Sequence, residues 1–194
     1  MLSEEEIKER VSLVIRGVVE GHIESMRNPT GDITNKYRYN RYNCNVLFQM
    51  AYKYGLSQDM QLLLDNDMAE IDFLYNDPGG IRQGTSQGEN NSTLLMIACR
   101  EDDVSQVELL ISLGASLDIQ NKQGQTALMY ASYEGNIKVV KLLLENGADV
   151  NLKTIYGWTA EKYAIDSAQC GDRYNASSAR RCWSVVDLLK QVNK

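Results

Sequence analysis

The chain has 194 residues, 43% of them hydrophobic and 24% charged, so it can bury a core without disulfide or metal staples and is too apolar for disorder. Its net charge of −6 argues against nucleic acid and anionic membranes as partners. No apolar run approaches membrane-spanning length, and the opening MLSEEEIKER is charged where an export signal needs an apolar core, so a cytoplasmic protein is expected.

Charge is spread unevenly. Residues 44–90 carry 7 acidic groups against 2 basic ones, whereas 154–194 carry 4 against 6, giving an acidic front and a mildly basic tail. Cys44, Cys99, Cys170 and Cys182 form no C-x-x-C pair, so reduced thiols are expected rather than a disulfide framework or a thiolate metal site.

In chain order, residues 3–26 read first as an amphipathic helix. Ser3 and Glu6 make a capping box, and Ile7, Val11, Val14 and Val18 share one face. With the linker to residue 43 it forms a segment, 1–43, expected to cap the open apolar end of a helical stack; an effector or dimerising helix is the alternative. The run from Tyr37 to Tyr42 alternates arginine and tyrosine, which suits either packing on the next element or stacking on bases. Residues 44–194 then read as four helix pairs near 44–75, 91–120, 124–153 and 157–194.

Internal repetition is what indicates four pairs. Thr93, Leu95, Met96 and Ala98 recur 33 residues later as Thr126, Leu128, Met129 and Ala131. The same offset joins Val107 to Val140, Leu110 to Leu143, Gly114 to Gly147 and Gly124 to Gly157. Each threonine can accept backbone N–H groups at a helix start, and each small alanine lets neighbouring helices approach. Ile137, Val140, Leu143 and Leu144 form an apolar stripe, while Gly114 and Gly147 stand where such helices stop in a left-handed residue. Two pairs are clear; two flanking copies are degenerate. Ala51 precedes Ala98 by 47 residues, which places an insertion in the glycine-rich stretch near 75–91, and a second falls near 170–182.

A unit of 33 residues with T-x-L-x-x-A, an apolar second helix and L-L-x-x-G-A-x-[DN] resembles the ankyrin repeat. The chain departs from the family's T-P-L-H, since Ala127 replaces proline and Met129 replaces a histidine that links adjacent repeats. The resemblance implies an all-α ankyrin-repeat solenoid of about four helix pairs with an extra N-terminal capping helix. It also implies a non-enzymatic protein-protein interaction module: adaptor, inhibitor or regulator. A microbial effector or toxin-immunity protein would use the same surface, and an enzyme with an unrecognised site is the third class. Contacts in this family come from hairpin tips and the exposed end of the first helix. By register the tips are Lys122, Gln123 and Gln125, then Ile155, Tyr156 and Trp158. The first-helix positions are Lys53 and Tyr54, Arg100 and Glu101, Tyr133 and Glu134. All are expected along one face. Trp158 and Tyr156 serve either as an interface or as packing over the C-terminal insertion. Asn151, with Leu143 and Asp149, matches the family pattern for asparaginyl hydroxylation.

Catalytic chemistry finds no foothold. His22 is the only histidine, so neither a Ser–His nor a two-histidine site can be assembled. The stretch 77–88 shares only glycine content with a phosphate loop and lacks the G-K-[ST] ending. Asp102-Asp103 and Asp65/Asp67 fall at expected turns, and the cluster Arg173, Arg180, Arg181 lacks interleaved aromatics. No catalytic residue, cofactor, metal or small-molecule substrate is expected. The expected partner is another protein, with a basic surface suggested by the acidic front, and a monomer is favoured.

Overall fold

The computed structural model describes residues 3–27, 41–76, 91–174 and 176–192. Among them the chain forms two compact units, residues 1–70 and 71–194.

The first unit holds α1 (Glu4–Arg27), α2 (Arg41–Lys53) and α3 (Ser57–Asp65). The capping box forms: Ser3 Oγ accepts from the Glu6 N–H at 3.2 Å, and Glu6 accepts from the Ser3 N–H at 2.7 Å. That exchange holds the Glu6 carboxyl below its ordinary value. α1 packs on both α2 and α3. Its buried stripe is Val11, Ile15 and Val19, with Ile7 and Val18 half-buried, so one expectation needs correction: Val14 is 52% exposed. Two helices must be faced at once, and the stripe advances by fours rather than by alternating fours and threes. Arg16 reaches the buried Asp59 of α3 at 3.5 Å, fixing how the cap sits. Phe48, Ala51, Met60 and Leu63 complete this core.

The second unit begins with a two-residue antiparallel ladder, β1 (Tyr75–Asn76) on β2 (Asn91–Ser92), pairing Tyr75 with Ser92. It closes the base of the first insertion, whose interior, 77–90, lies outside the described residues. Three helix pairs follow: α4 (Leu94–Glu101) with α5 (Val104–Ser112), α6 (Ala127–Glu134) with α7 (Ile137–Glu145), and α8 (Ala160–Tyr174) with α9 (Ala176–Val192). First helices pack on first helices, α4 on α6 on α8, and second on second, α5 on α7 on α9.

Repetition in sequence becomes repetition in geometry. Thr93 and Thr126 cap α4 and α6, accepting from Met96 N–H at 3.3 Å and Met129 N–H at 3.4 Å. Ala98, Ala131 and Ala164 are fully buried where first helices meet. Leu110 and Leu143 are fully buried on adjacent second helices, and Leu189 of α9 continues the seam. Burial along these two seams gives the stack its main stabilisation, about 1.5–3 kcal/mol for each large aliphatic residue. The turn between first and second helix is left-handed at Gly55, Asp102 and Gly135, with φ of 69°, 58° and 72°. Asp102 therefore occupies a conformation that favours glycine.

Where the family histidine is missing, tyrosine links the repeats. The Tyr130 and Ser92 hydroxyls lie 2.9 Å apart, and Gln125 Nε2 donates to the Tyr163 hydroxyl at 2.8 Å. Each tyrosine thus reaches back to the residue preceding the threonine cap of the repeat before. Asn136 adds a further link, donating to the Cys99 carbonyl at 2.8 Å and satisfying an end group of α4.

The second insertion, near 170–182, extends the last helix pair: α8 runs to 15 residues and α9 to 17. The hairpin these two helices make presents the buried Ala168, Ala179 and Cys182 on its inner face.

Candidate functional site

The second unit's hairpin tips are built by hydrogen bonds between neighbours. Gly124 turns the first tip with φ of 77° and sits so close to the second that an added Cβ would lie 2.8 Å from Thr154 Cα. The Ile155 N–H donates to the Gln123 carbonyl at 3.0 Å, and Gln120 Nε2 donates to the carbonyls of Gly124 and Lys153 at 2.7 and 2.9 Å. Thr154 is buried, and its hydroxyl accepts from Tyr156 and Trp158 N–H groups at 3.3 and 3.1 Å. Two adjacent tips are therefore one hydrogen-bonded ledge.

That ledge exposes apolar side chains. Ile155 is 66% exposed and Tyr156 53%. Trp158 is half-buried and packs edge-on against Tyr163, with centroids 5.5 Å apart, and Tyr163 in turn meets the half-buried Tyr133 at 6.3 Å. An aromatic row thus runs from the second tip through α8 to the end of α6. Trp158 and Tyr133 are neighbours as expected, but through Tyr163, which their register alone does not reveal. Burial pushes the Tyr163 hydroxyl up to about 12, although its bond from Gln125 acts in the opposite direction. It remains a neutral acceptor at physiological pH. The same burial raises Tyr133, helped by Glu134 and Asp166.

The other candidates divide. Lys122 is exposed and Gln123 half-buried at the first tip. Gln125 is not a tip residue: it is fully buried, and its side chain joins Asn121, Tyr130 and Tyr163. Its position preceding the threonine cap points it between repeats, so it braces the surface without belonging to it. Arg100 is half-buried and Glu101 exposed, paired at 3.6 Å. Glu134 is half-buried, and burial raises its carboxyl despite the opposing charges of Arg100 and Arg181. In the first unit, the exposed Lys53 holds its ammonium 5.7 Å from the Tyr54 ring centroid. Of the Tyr37 to Tyr42 run, residues 37–40 lie outside the described residues, as do the side chains of Arg41, Tyr42 and Arg173. Lys153 and Lys162 join the surface although no motif marks them; both stand beside the tips, and Lys162 is 5.5 Å from the Trp158 centroid. Sequence offers only position as a signal for them.

The remaining chemistry is quiet. Asp102 ends α4, and Asp103 caps α5 by accepting from Gln106 N–H at 3.1 Å. Cys44, Cys99 and Cys182 are buried free thiols and Cys170 is an exposed one. Burial raises Cys99 far above an ordinary thiol, which makes it unreactive. Among the described residues no group of three or more His, Cys, Asp or Glu could hold a metal ion.

Stacked helix pairs joined through hydrogen-bonded tips define a repeat scaffold, in which each unit packs on its neighbours and the stack presents an extended surface. The family model for ankyrin repeats (3 copies) matches residues 47–154 and again 95–172, together well over half the chain. The chain belongs to the ankyrin-repeat family. Among solved structures it is similar to the crystal structure of the ankyrin repeat domain of Bcl-3, described as a unique member of the IkappaB protein family. Identity is 27%, covering 60% of this chain and 46% of that one, with a TM-score of 0.49. The match thus spans less than half the length of that domain. The comparison with curated proteins gave no match. Ankyrin repeats generally mediate protein–protein interaction and are typically non-catalytic scaffolds.

Proposed function

We propose that this protein is a non-enzymatic adaptor, inhibitor or regulator that docks a partner protein on the tip ledge and aromatic row of its second unit. The observation that carries the reading is the exposure of Ile155 and Tyr156 on a ledge whose backbone is fixed by neighbouring repeats. Turn residues normally solvate the chain. A branched apolar side chain and an aromatic one, held out on a rigid frame with few rotatable bonds, can bury area at little entropic cost. Trp158, Tyr133 and Lys122 extend the same surface. The free thiols accord with a reducing, cytoplasmic setting.

The test is a pull-down from the native host with the full chain and the Ile155→Ala/Tyr156→Ala variant, read by quantitative mass spectrometry. A partner depleted at least about 30-fold by the variant is expected, since buried anchors cost roughly 2 kcal/mol or more on truncation. Both side chains are exposed, so the helical circular dichroism and the melting temperature should stay unchanged. Equal capture by both proteins would refute this surface.

A further inference from the structure

The two tips are copies of one turn, and only the first is covered. The Asn121 N–H donates to the Gln125 carbonyl at 3.0 Å and the Gly124 N–H to the Asn121 carbonyl at 2.8 Å. Thr154 with Trp158, and Gly157 with Thr154, repeat these bonds at 2.9 and 2.8 Å. Asn121 Oδ1 accepts from the Gln123 and Gln125 N–H groups as the Thr154 hydroxyl does from Tyr156 and Trp158. The first repeat grips the next through three groups. The Gln123 carbonyl takes the Ile155 N–H, Gly124 lets the backbone of Thr154 and Ile155 lie against it, and Asp118 accepts from the Asp149 N–H at 2.9 Å. Asp72 holds the Ser116 N–H in the same way at 3.0 Å. One repeat of 33 residues beyond Gln123, Gly124 and Asp118 stand Tyr156, Gly157 and Asn151. Among the described residues nothing donates to the Tyr156 carbonyl or to Asn151 Oδ1, and nothing lies within 4 Å of a Cβ added to Gly157.

We infer that this open edge binds an extended segment of a partner protein in the place that a further tip would take. One backbone N–H of the segment donates to the Tyr156 carbonyl, another to Asn151 Oδ1, and its chain lies against Gly157. The inference rests on the docking reading above and adds what the partner presents: main chain at the edge, with an apolar side chain beside Ile155 and Tyr156. Continuity with the tip-to-tip contact carries it, because the run from Asp149 to Ile155 already displays the guest's geometry once in the molecule. In edge additions of this kind main-chain bonds supply affinity and side-chain contacts supply selectivity. A second copy cannot fill the edge with its own. Every N–H from Thr154 to Trp158 is already donated within the ledge, so two such edges offer each other only acceptors. A phosphate backbone likewise presents acceptors where donors are needed.

Gly157→Ala separates the edge from the side chains beside it. Its new Cβ would stand where the guest's backbone must pass, just as a Cβ on Gly124 would stand 2.8 Å from Thr154 Cα. Gly147→Ala controls for folding: φ is 91° there and 76° at Gly157, and neither has a neighbour within 4 Å, so both carry a like conformational cost. Binders are selected from a random library of short linear peptides on the immobilised full chain. They are then titrated by NMR into full chain labelled in carbon and nitrogen, alongside an oligothymidylate. Expected are peptides that move the Tyr156 carbonyl carbon downfield, as accepting a hydrogen bond does, and that lose roughly tenfold in affinity when one backbone N–H is methylated. Gly157→Ala should weaken them at least about tenfold, with Gly147→Ala binding as the parent does. Peptides that move the Ile155 and Tyr156 side-chain signals but not that carbonyl, and bind Gly157→Ala as well as the parent, would overturn the open edge while leaving the ledge as a docking surface. Peptides that leave residues 155–157 unmoved would overturn both. Tighter binding of the oligothymidylate at these residues would overturn a protein partner.

Discussion

Replacing Gly135 with alanine tests how the lengthened last helix pair joins the stack. Gly135 ends α6 with φ of 72°, and an added Cβ would lie 2.9 Å from Cys182 Sγ, 3.1 Å from Arg181 Cβ and 3.1 Å from Cys182 N. The left-handed conformation costs alanine about 1–2 kcal/mol, and forcing a methyl into that contact costs about 1–3 kcal/mol more. Stiffening the unfolded chain returns about 0.4–1 kcal/mol. The net loss is therefore about 2–4 kcal/mol, or a fall in melting temperature of roughly 5–15 °C for a chain of this size. Gly147→Ala supplies the control, because Gly147 has φ of 91° with nothing within 4 Å of an added Cβ. It should lose only the conformational part, about 1 kcal/mol. Thermal unfolding followed by circular dichroism reads both variants. Adding Cys182→Ala to Gly135→Ala should recover only part of the loss, since backbone and Arg181 contacts remain. Equal destabilisation by the two glycine variants would mean that α9 does not rest on the α6–α7 turn.

Three further outcomes rest on the same geometry. Tyr163→Phe removes the hydroxyl that accepts from the buried Gln125 Nε2, so urea titration should show a loss of about 1 kcal/mol, and Gln125→Leu in the same background should cost less than in the parent. Asp102→Gly relieves a left-handed aspartate and should raise stability by up to about 1 kcal/mol in the same titration. Glu134→Gln should raise the melting temperature at neutral pH. A carboxyl raised by folding favours its protonated form, so the folded protein loses stability as pH rises from the unfolded value of about 4.3 through the folded one. The difference between variant and parent should shrink as pH falls through that window; a difference independent of pH would refute it.

Much of the architecture was legible because the fold repeats, and a repeat tests each residue against its copies. Thr93 and Thr126, Ala98 and Ala131, and Leu110 and Leu143 could be read in register, and each does in the structure what its spacing implied. What failed depends on contacts that no copy reports. Gln125 looks like any polar turn residue, and its burial is tied to Tyr163, which lies 38 positions on. The repeat count located the extra residues near 170–182, but length alone does not say that they extend two helices. Val14 was misplaced because α1 faces two helices, which rotates its buried stripe. Within the candidate surface, exposure of Ile155 and Tyr156 was foreseeable from their turn positions. The approach of Lys162 to the Trp158 ring was not, since no motif marks it.

The most direct measurement is amide hydrogen exchange on the full chain, alone and saturated with the partner captured from the native host. New protection across residues 122–124 and 153–158 is predicted, with the outer helices α5 and α7 unchanged. Protection confined to α5 and α7, with the tips exchanging as in the free protein, would contradict the account.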